Sequence, residues 1–156
     1  MKAFWNKKAK EKKIDHSTTI IDATIHEVRK AVSAFAEKKR EGISLKVLVQ
    51  DDNQIDTTLL APYLGGIPSE PYFMSKETFE LFEKHERHIP FWIDSMQRAV
   101  DSYVRSEKET PVIEGDPYRK ISFYKLEKKA LLHERPPLDF YLTEQEQMVS
   151  HRKPVR

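Results

Sequence analysis

Side chains able to do chemistry gather in three places along the chain. In EGDPYRK, Glu114, Asp116, Tyr118 and Arg119 sit together. Neighbouring carboxylates do acid–base work when burial drives their pKa values apart. An enzyme built here would combine Asp116, Tyr118 and Arg119 with a histidine such as His88. Gly-Asp-Pro is a standard turn composition, and the segment reads first as a bend; a separate alternative is that Arg119 and Lys120 receive an anion. In HERH, His85 and His88, with Glu83 and Glu86 nearby, invite a metal ion. Their spacing is i and i+3, whereas the zinc-protease helix aims its imidazoles from i and i+4. With no cysteine in the chain, third and fourth ligands for a tetrahedral site cannot be assigned. Histidine cations ending a helix account for the pattern without a metal, so neither metal nor cofactor is expected.

The third place is APYLGGIPSEPYF. A phosphate loop needs Lys and Ser or Thr soon after its glycines, opening a helix. Here Gly65 and Gly66 are followed by Ile67 and Pro68, and Pro68 and Pro71 remove two N–H donors. The glycines therefore serve backbone geometry in a tight bend, and the prolines stiffen its exit. What remains is a binding rim of Tyr63, Leu64, Gly65, Gly66, Ile67 and Tyr72. No Gly-x-Ser-x-Gly elbow supports a nucleophilic serine.

Composition narrows the setting. The 156 residues are 38% apolar and 33% charged, which suits one globular domain with a charged surface. No apolar run is long enough to span a membrane and no signal peptide precedes the body, so a cytoplasmic protein is the expectation. The absence of cysteine fits a reducing compartment. The net charge of +2 conceals an asymmetry. Residues 1–13 hold six Lys (Lys2, Lys7, Lys8, Lys10, Lys12 and Lys13) against one Glu, and residues 148–156 add three more cations. The body between is therefore acidic. The expected organisation is a basic flexible tail, 1–13, on a single domain, 14–156. With Phe4 and Trp5 beside its lysines, the tail could touch an anionic membrane or nucleic acid. At about 1 kcal/mol per net positive charge, its net of +5 gives about 5 kcal/mol before ordering costs.

The elements that must position these residues are read from periodicity. Thr24 and Glu27 have capping-box spacing, and Ile25, Val28, Ala31, Val32, Phe35 and Ala36 follow as a helical stripe. A helix over 25–40 results, closed by Gly42. Alternation in Ile43–Val49, the turn Asp51-Asp52-Asn53, and a second run over 54–60 predict a hairpin. Tyr72–Met74 is a short strand, and Ser75 caps a helix over 76–88. A stripe from Phe91 to Val104 gives a helix over 91–106, with Pro90 at its start. Residues 119–132 read as strand or helix. LDFYL reads as a strand, and Thr143 with Glu146 caps a final helix over 144–151. YFMSKE and FYLTEQ echo each other: aromatics, an aliphatic, a hydroxyl, then polar residues. A chance repeat of a common local solution is the simpler explanation, because the flanking sequences differ. The fold class is α+β, a small and mainly antiparallel sheet packed by two or three amphipathic helices.

The segments TLLAPYLGGIP, VIEGDPYRKISFYKL and PPLDFYL resemble a family of small proteins of bacilli known as a domain of unknown function. The resemblance spans about 18–154. It implies a cytosolic bacterial protein and supplies no catalytic residues. Taken with the absence of a complete catalytic set, it favours a non-catalytic binding or protein-interaction domain. That domain would act through the Tyr63–Tyr72 loop or through a helix face used in self-association.

Overall fold

The computed structural model describes residues 19–145 and 147–155. The basic segment 1–13 and Glu146 of the second capping box lie outside them. The first helix, α1 (Ile25–Lys38), starts as expected: Thr24 Oγ1 accepts from Glu27 N at 3.2 Å, and Glu27 Oε1 accepts from Thr24 N at 3.1 Å. It stops earlier than expected, at Lys39 in extended geometry, and Gly42 lies in the turn that follows.

The expected hairpin over 43–60 is replaced. Leu45–Leu48 wind into a 3-10 turn capped by Ser44. Only the bridge Val49 to Ile55 survives of the pairing, across a turn in which Asn53 has φ 69°. Residues 57–60 are helical because Asp56 caps them: its Oδ1 accepts from Thr58 N at 3.1 Å and Thr58 Oγ1 at 2.6 Å. The short helix α2 (Thr57–Leu64) then ends at Gly65, which has φ 84°.

Six short strands form three two-stranded ladders among the described residues. Strands β1 (Ile20–Ile21) and β2 (Ile67–Pro68) pair in parallel. Strands β3 (Tyr72–Met74) and β4 (Leu81–Glu83) are antiparallel, as are β5 (Tyr141–Leu142) and β6 (Val149–Ser150). Between them run the long helix α3 (His88–Glu107) and the short α4 (Phe123–Lys128). The α+β class therefore holds, with antiparallel pairs predominating. In 119–132, Lys120 and Ile121 form bridges and 123–128 is helical, so each alternative owns part of the segment.

Two expected helices are hairpins instead. Ser75 does start a turn, its Oγ accepting from Thr78 N at 2.9 Å, but Phe79 adopts φ 60° and the chain returns as β4. The turn closes through Ser75 N donating to Glu80 O at 3.0 Å. In the same way, Thr143 N donates to Met148 O at 2.9 Å, Gln147 has φ 58°, and the chain returns as β6. The two loops, 75–80 and 143–148, thus have the same length and the same left-handed penultimate residue. The sequence echo YFMSKE/FYLTEQ corresponds to two equivalent hairpins, not to strands that feed helices.

The β3–β4 ladder is buried on both faces. Tyr72, Met74 and Leu81 join Val28, Val32, Leu48, Ile55 and Leu60 in one core. Phe73 and Phe82 join Ile93, Met96, Val100, Ile121, Phe140 and Leu142 in the other. The period of two along a strand puts successive side chains into different cores. Helix α3 grips both hairpins with buried polar side chains. Asp94, 4% exposed, accepts from Ser75 Oγ (2.5 Å), Glu77 N (3.2 Å), Lys76 N (3.0 Å) and Asn53 Nδ2 (2.8 Å). Gln97 accepts from Val149 N at 2.8 Å and donates to Gln147 O at 3.2 Å.

Candidate functional site

Asp116 nucleates the bend in EGDPYRK. Its Oδ1 accepts from Tyr118 N at 2.8 Å and Lys120 N at 3.3 Å, and its carbonyl accepts from Arg119 N. This is an Asx turn, and it commits that carboxylate oxygen to the backbone. Arg119 leaves the turn with φ 56°, a conformation costly for a residue with a β-carbon. The bridge from Lys120 to Tyr141 then lays this segment beside β5, and so near β6 and the chain's C-terminal residues.

A cleft of about 620 Å³ forms at this junction. Its chemistry comes from Tyr118, Arg119, Thr143, Ser150, Arg152 and Lys153, with Leu142, Pro154 and Val155 among its apolar walls. Glu144 is the carboxylate on its lining. Arg119 Nε is buried and has no hydrogen-bond partner, and no ion pair of Arg119 occurs among the described residues. The other two cations are held loosely. Lys153 Nζ stands 4.1 Å from the Tyr118 ring centre, a contact of about 0.5–1 kcal/mol at an exposed site. Arg152, with its side chain 69% exposed, reaches Glu80 Oε1 at 3.1 Å, and such a surface pair contributes about 0–1 kcal/mol. Both contacts are cheap to exchange for an incoming anion.

Behind the cleft, His151 packs its ring against Phe82 at 5.3 Å between centres, with its side chain only 12% exposed. Its Nδ1 is 3.7 Å from Glu80 Oε2, too far for a hydrogen bond. Burial lowers the His151 pKa from its ordinary 6.5; Glu80 pulls it up and Arg152 pushes it down by lesser amounts. Glu80 is therefore shared between a buried imidazole and a cation of the cleft.

The chain's kinship is equally definite. The sequence model of the family described as "Protein of unknown function (DUF3939)" matches residues 18–151. The chain belongs to that family. No curated protein and no solved structure matches it. Tyr118, Arg119, Thr143, Ser150 and His151 of this DUF3939 domain lie within the matched span, whereas Arg152 and Lys153 follow it.

Of the residues singled out from sequence, the fold brings Tyr118 and Arg119 into the cleft and leaves Asp116 in the turn behind them. His88 is not on the cleft lining. It opens α3 and does not close a preceding helix, so the helix-end argument for HERH is reversed. His85 lies in the 3-10 turn Lys84–Glu86, within 4.0 Å of Glu83 and 3.7 Å of Glu86. Among the described residues no group of three or more acidic or histidine side chains is arranged to hold a metal ion. No helix of these residues is long and apolar enough to cross a membrane.

The glycine loop is elsewhere. Gly65 ends α2, its N–H donating to Ala61 O. Gly66 lets Thr19 approach so closely that an added β-carbon would stand 2.6 Å from the Thr19 carbonyl oxygen. Ile67 N then donates to that same oxygen as β2 joins β1. Tyr63 is 40% exposed, edge-on to Phe35, and Leu64 packs against the first core. Tyr72 is buried and its hydroxyl donates to Ala23 O; burial, then Glu83, Glu70 and Glu27, push its phenol pKa up and keep it neutral. A hollow of about 460 Å³ beside Tyr72 mixes Glu70 and Glu83 with Lys84, His85 and Arg87, so it offers no single sign of charge. Thr143, Ser150, Arg152 and Lys153 went unremarked as site residues. For Arg152 and Lys153 the signal is the cluster of cations after Met148, legible as charge but not as a partner of EGDPYRK; Thr143 and Ser150 carry none.

Proposed function

We propose that this DUF3939 domain is a non-catalytic binding protein of the bacterial cytoplasm whose ligand is a small anion held in the Tyr118–Lys153 cleft. One observation carries the reading: Arg119, Arg152 and Lys153 line a single cleft, and no ion pair of Arg119 occurs among the described residues. An oxyanion in the cleft would give the guanidinium and ammonium groups on its lining a charged acceptor, the stronger kind of hydrogen bond. The cleft volume lies in the range of small-molecule sites, about 300–1,000 Å³. Thr143 and Ser150 add hydroxyls for oxygen atoms, and the apolar wall suits an uncharged remainder. The enzyme alternative draws its base from Asp116, whose Oδ1 already accepts two backbone N–H groups.

The test is a titration of the full chain with sulfate at constant ionic strength, followed by amide shifts in NMR. Sulfate alone should bind with a Kd of about 1 mM. The shifts should be confined to 117–120, 142–144 and 150–153, and Arg119→Ala should weaken binding at least tenfold. Shifts spread evenly over basic residues, or an Arg119→Ala variant that binds like the wild type, would refute it.

A second reading, interaction through a helix face, has its own observation. Phe91 is 52% exposed and stacks edge-on with Trp92 at one end of a groove of about 440 Å³ shared with Leu131 and Leu132. Self-association there predicts concentration-dependent sedimentation that Phe91→Ser abolishes.

A further inference from the structure

We propose, resting on the anion-site reading, that a dianionic oxyanion of the phosphate class binds this cleft by taking Arg152 from Glu80, and that His151 accepts a proton when it does. The residues form a relay of charges. Arg152 lies on the lining of the cleft and also on that of the adjoining groove between α1 and Phe79–Leu81, which contains Glu80. Glu80 faces Arg152 through Oε1 and His151 through Oε2. The charged groups acting on His151 are Glu80, Arg152 and Glu86; the ring is otherwise against Phe82.

Glu80 lies between the two, 3.1 Å from Arg152 and 3.7 Å from His151, and burial outweighs its pull and keeps His151 neutral. A monocarboxylate offers Arg152 no more than Glu80 already does. A dianion between Arg119 and Arg152, which both line the cleft, offers twice the charge. When Arg152 turns to the ligand, its repulsion of His151 falls, and the Glu80 carboxylate it releases can close the 3.7 Å gap to the imidazole. Both changes raise the proton affinity of His151. By linkage, a proton taken up on binding makes binding tighter as pH falls.

The probe is sulfate, because it keeps its charge across pH 5–8, with acetate as the monoanion arm, both on the full chain at fixed ionic strength. Sulfate affinity should rise as pH falls, by up to about tenfold per pH unit where one proton is linked. The His151 ring, followed by NMR, should titrate at higher pH with sulfate present. Acetate should bind at least tenfold more weakly. His151→Gln and Glu80→Gln should each keep sulfate binding and lose its pH dependence. Sulfate binding that is flat with pH, or a slope retained in both variants, overturns the proton linkage and leaves the anion site standing. Failure of sulfate to bind, or indifference to Arg119→Ala, overturns the site itself. A ribose monophosphate compared with sulfate at pH 7.5 separates the sources: at least tenfold tighter binding shows a phosphate carried on a small molecule, and equal binding shows a free anion.

Discussion

Replacing Asp94 by Ala should unfold this domain at markedly lower denaturant than any surface change. The carboxylate is 4% exposed and accepts four hydrogen bonds, from Ser75 Oγ, Glu77 N, Lys76 N and Asn53 Nδ2. Removing it strands those donors unequally. Lys76 N and Glu77 N are partly exposed and can turn to water. Asn53 Nδ2 keeps Met74 O at 3.1 Å but loses its charged partner. Ser75 Oγ, fully buried, loses its acceptor and the geometry that lets it cap the turn. One stranded buried donor at about 1–3 kcal/mol and one lost hydrogen bond to a charged group at about 1.5–3 kcal/mol, less the cost of having buried a charge, give about 3–4 kcal/mol. With a urea slope of about 2 kcal/mol/M, the midpoint falls by about 1.5–2 M. Asp94→Asn should cost less, about 2 kcal/mol, because one oxygen still accepts while the new amide meets two donors head-on. Urea unfolding followed by tryptophan fluorescence and far-UV circular dichroism checks both. A loss under about 1 kcal/mol for Asp94→Ala, with an unchanged slope, would refute the account of Asp94 as the tie between α3 and the β3–β4 turn.

Gly66→Ala should destabilise by about 2 kcal/mol or more, because its β-carbon meets the Thr19 carbonyl at 2.6 Å where backbone must yield; the same substitution at Gly65, where nothing lies within 4 Å, should cost only the left-handed strain of about 1 kcal/mol, and equal urea midpoints would contradict the distinction. His151 is held neutral by burial, so the unfolded chain binds its proton more readily. Its contribution to stability is therefore intact above about pH 6.5 and declines as pH falls toward the folded-state value. A urea midpoint that drops over this interval in the wild type but not in His151→Gln is the expected pair of curves.

The helices are legible where a stripe of apolar residues has room to repeat, as in Ile25–Ala36 and Phe91–Val104. They were misread where one local signal stood for two outcomes. Ser75 does cap a turn, yet that turn is captured by Asp94 and reversed at Phe79, and no nearby residue announces this. The run over 54–60 reads as the second strand of a hairpin, but Asp56 within it is the stronger, helix-starting signal. In the cleft, Tyr118 and Arg119 stood out because their types cluster in sequence. Ser150, His151, Arg152 and Lys153 reach them only through the pairing of β5 with β6 and the Lys120 bridge to Tyr141. Such pairing between distant segments leaves no period in the sequence. The six lysines of 1–13 remain, by contrast, a feature of composition alone.

Asp94 and Gln97 stand almost one helical turn apart on α3, and each fastens a different hairpin. A shift of that helix by one residue would rotate both side chains by about 100° and unfasten both loops together. The two loops, far apart along the chain, are thus clasped by a single rod. Their amides at Lys76, Glu77 and Val149 should open to solvent exchange in one shared event, so that the domain melts as a unit despite its divided interior.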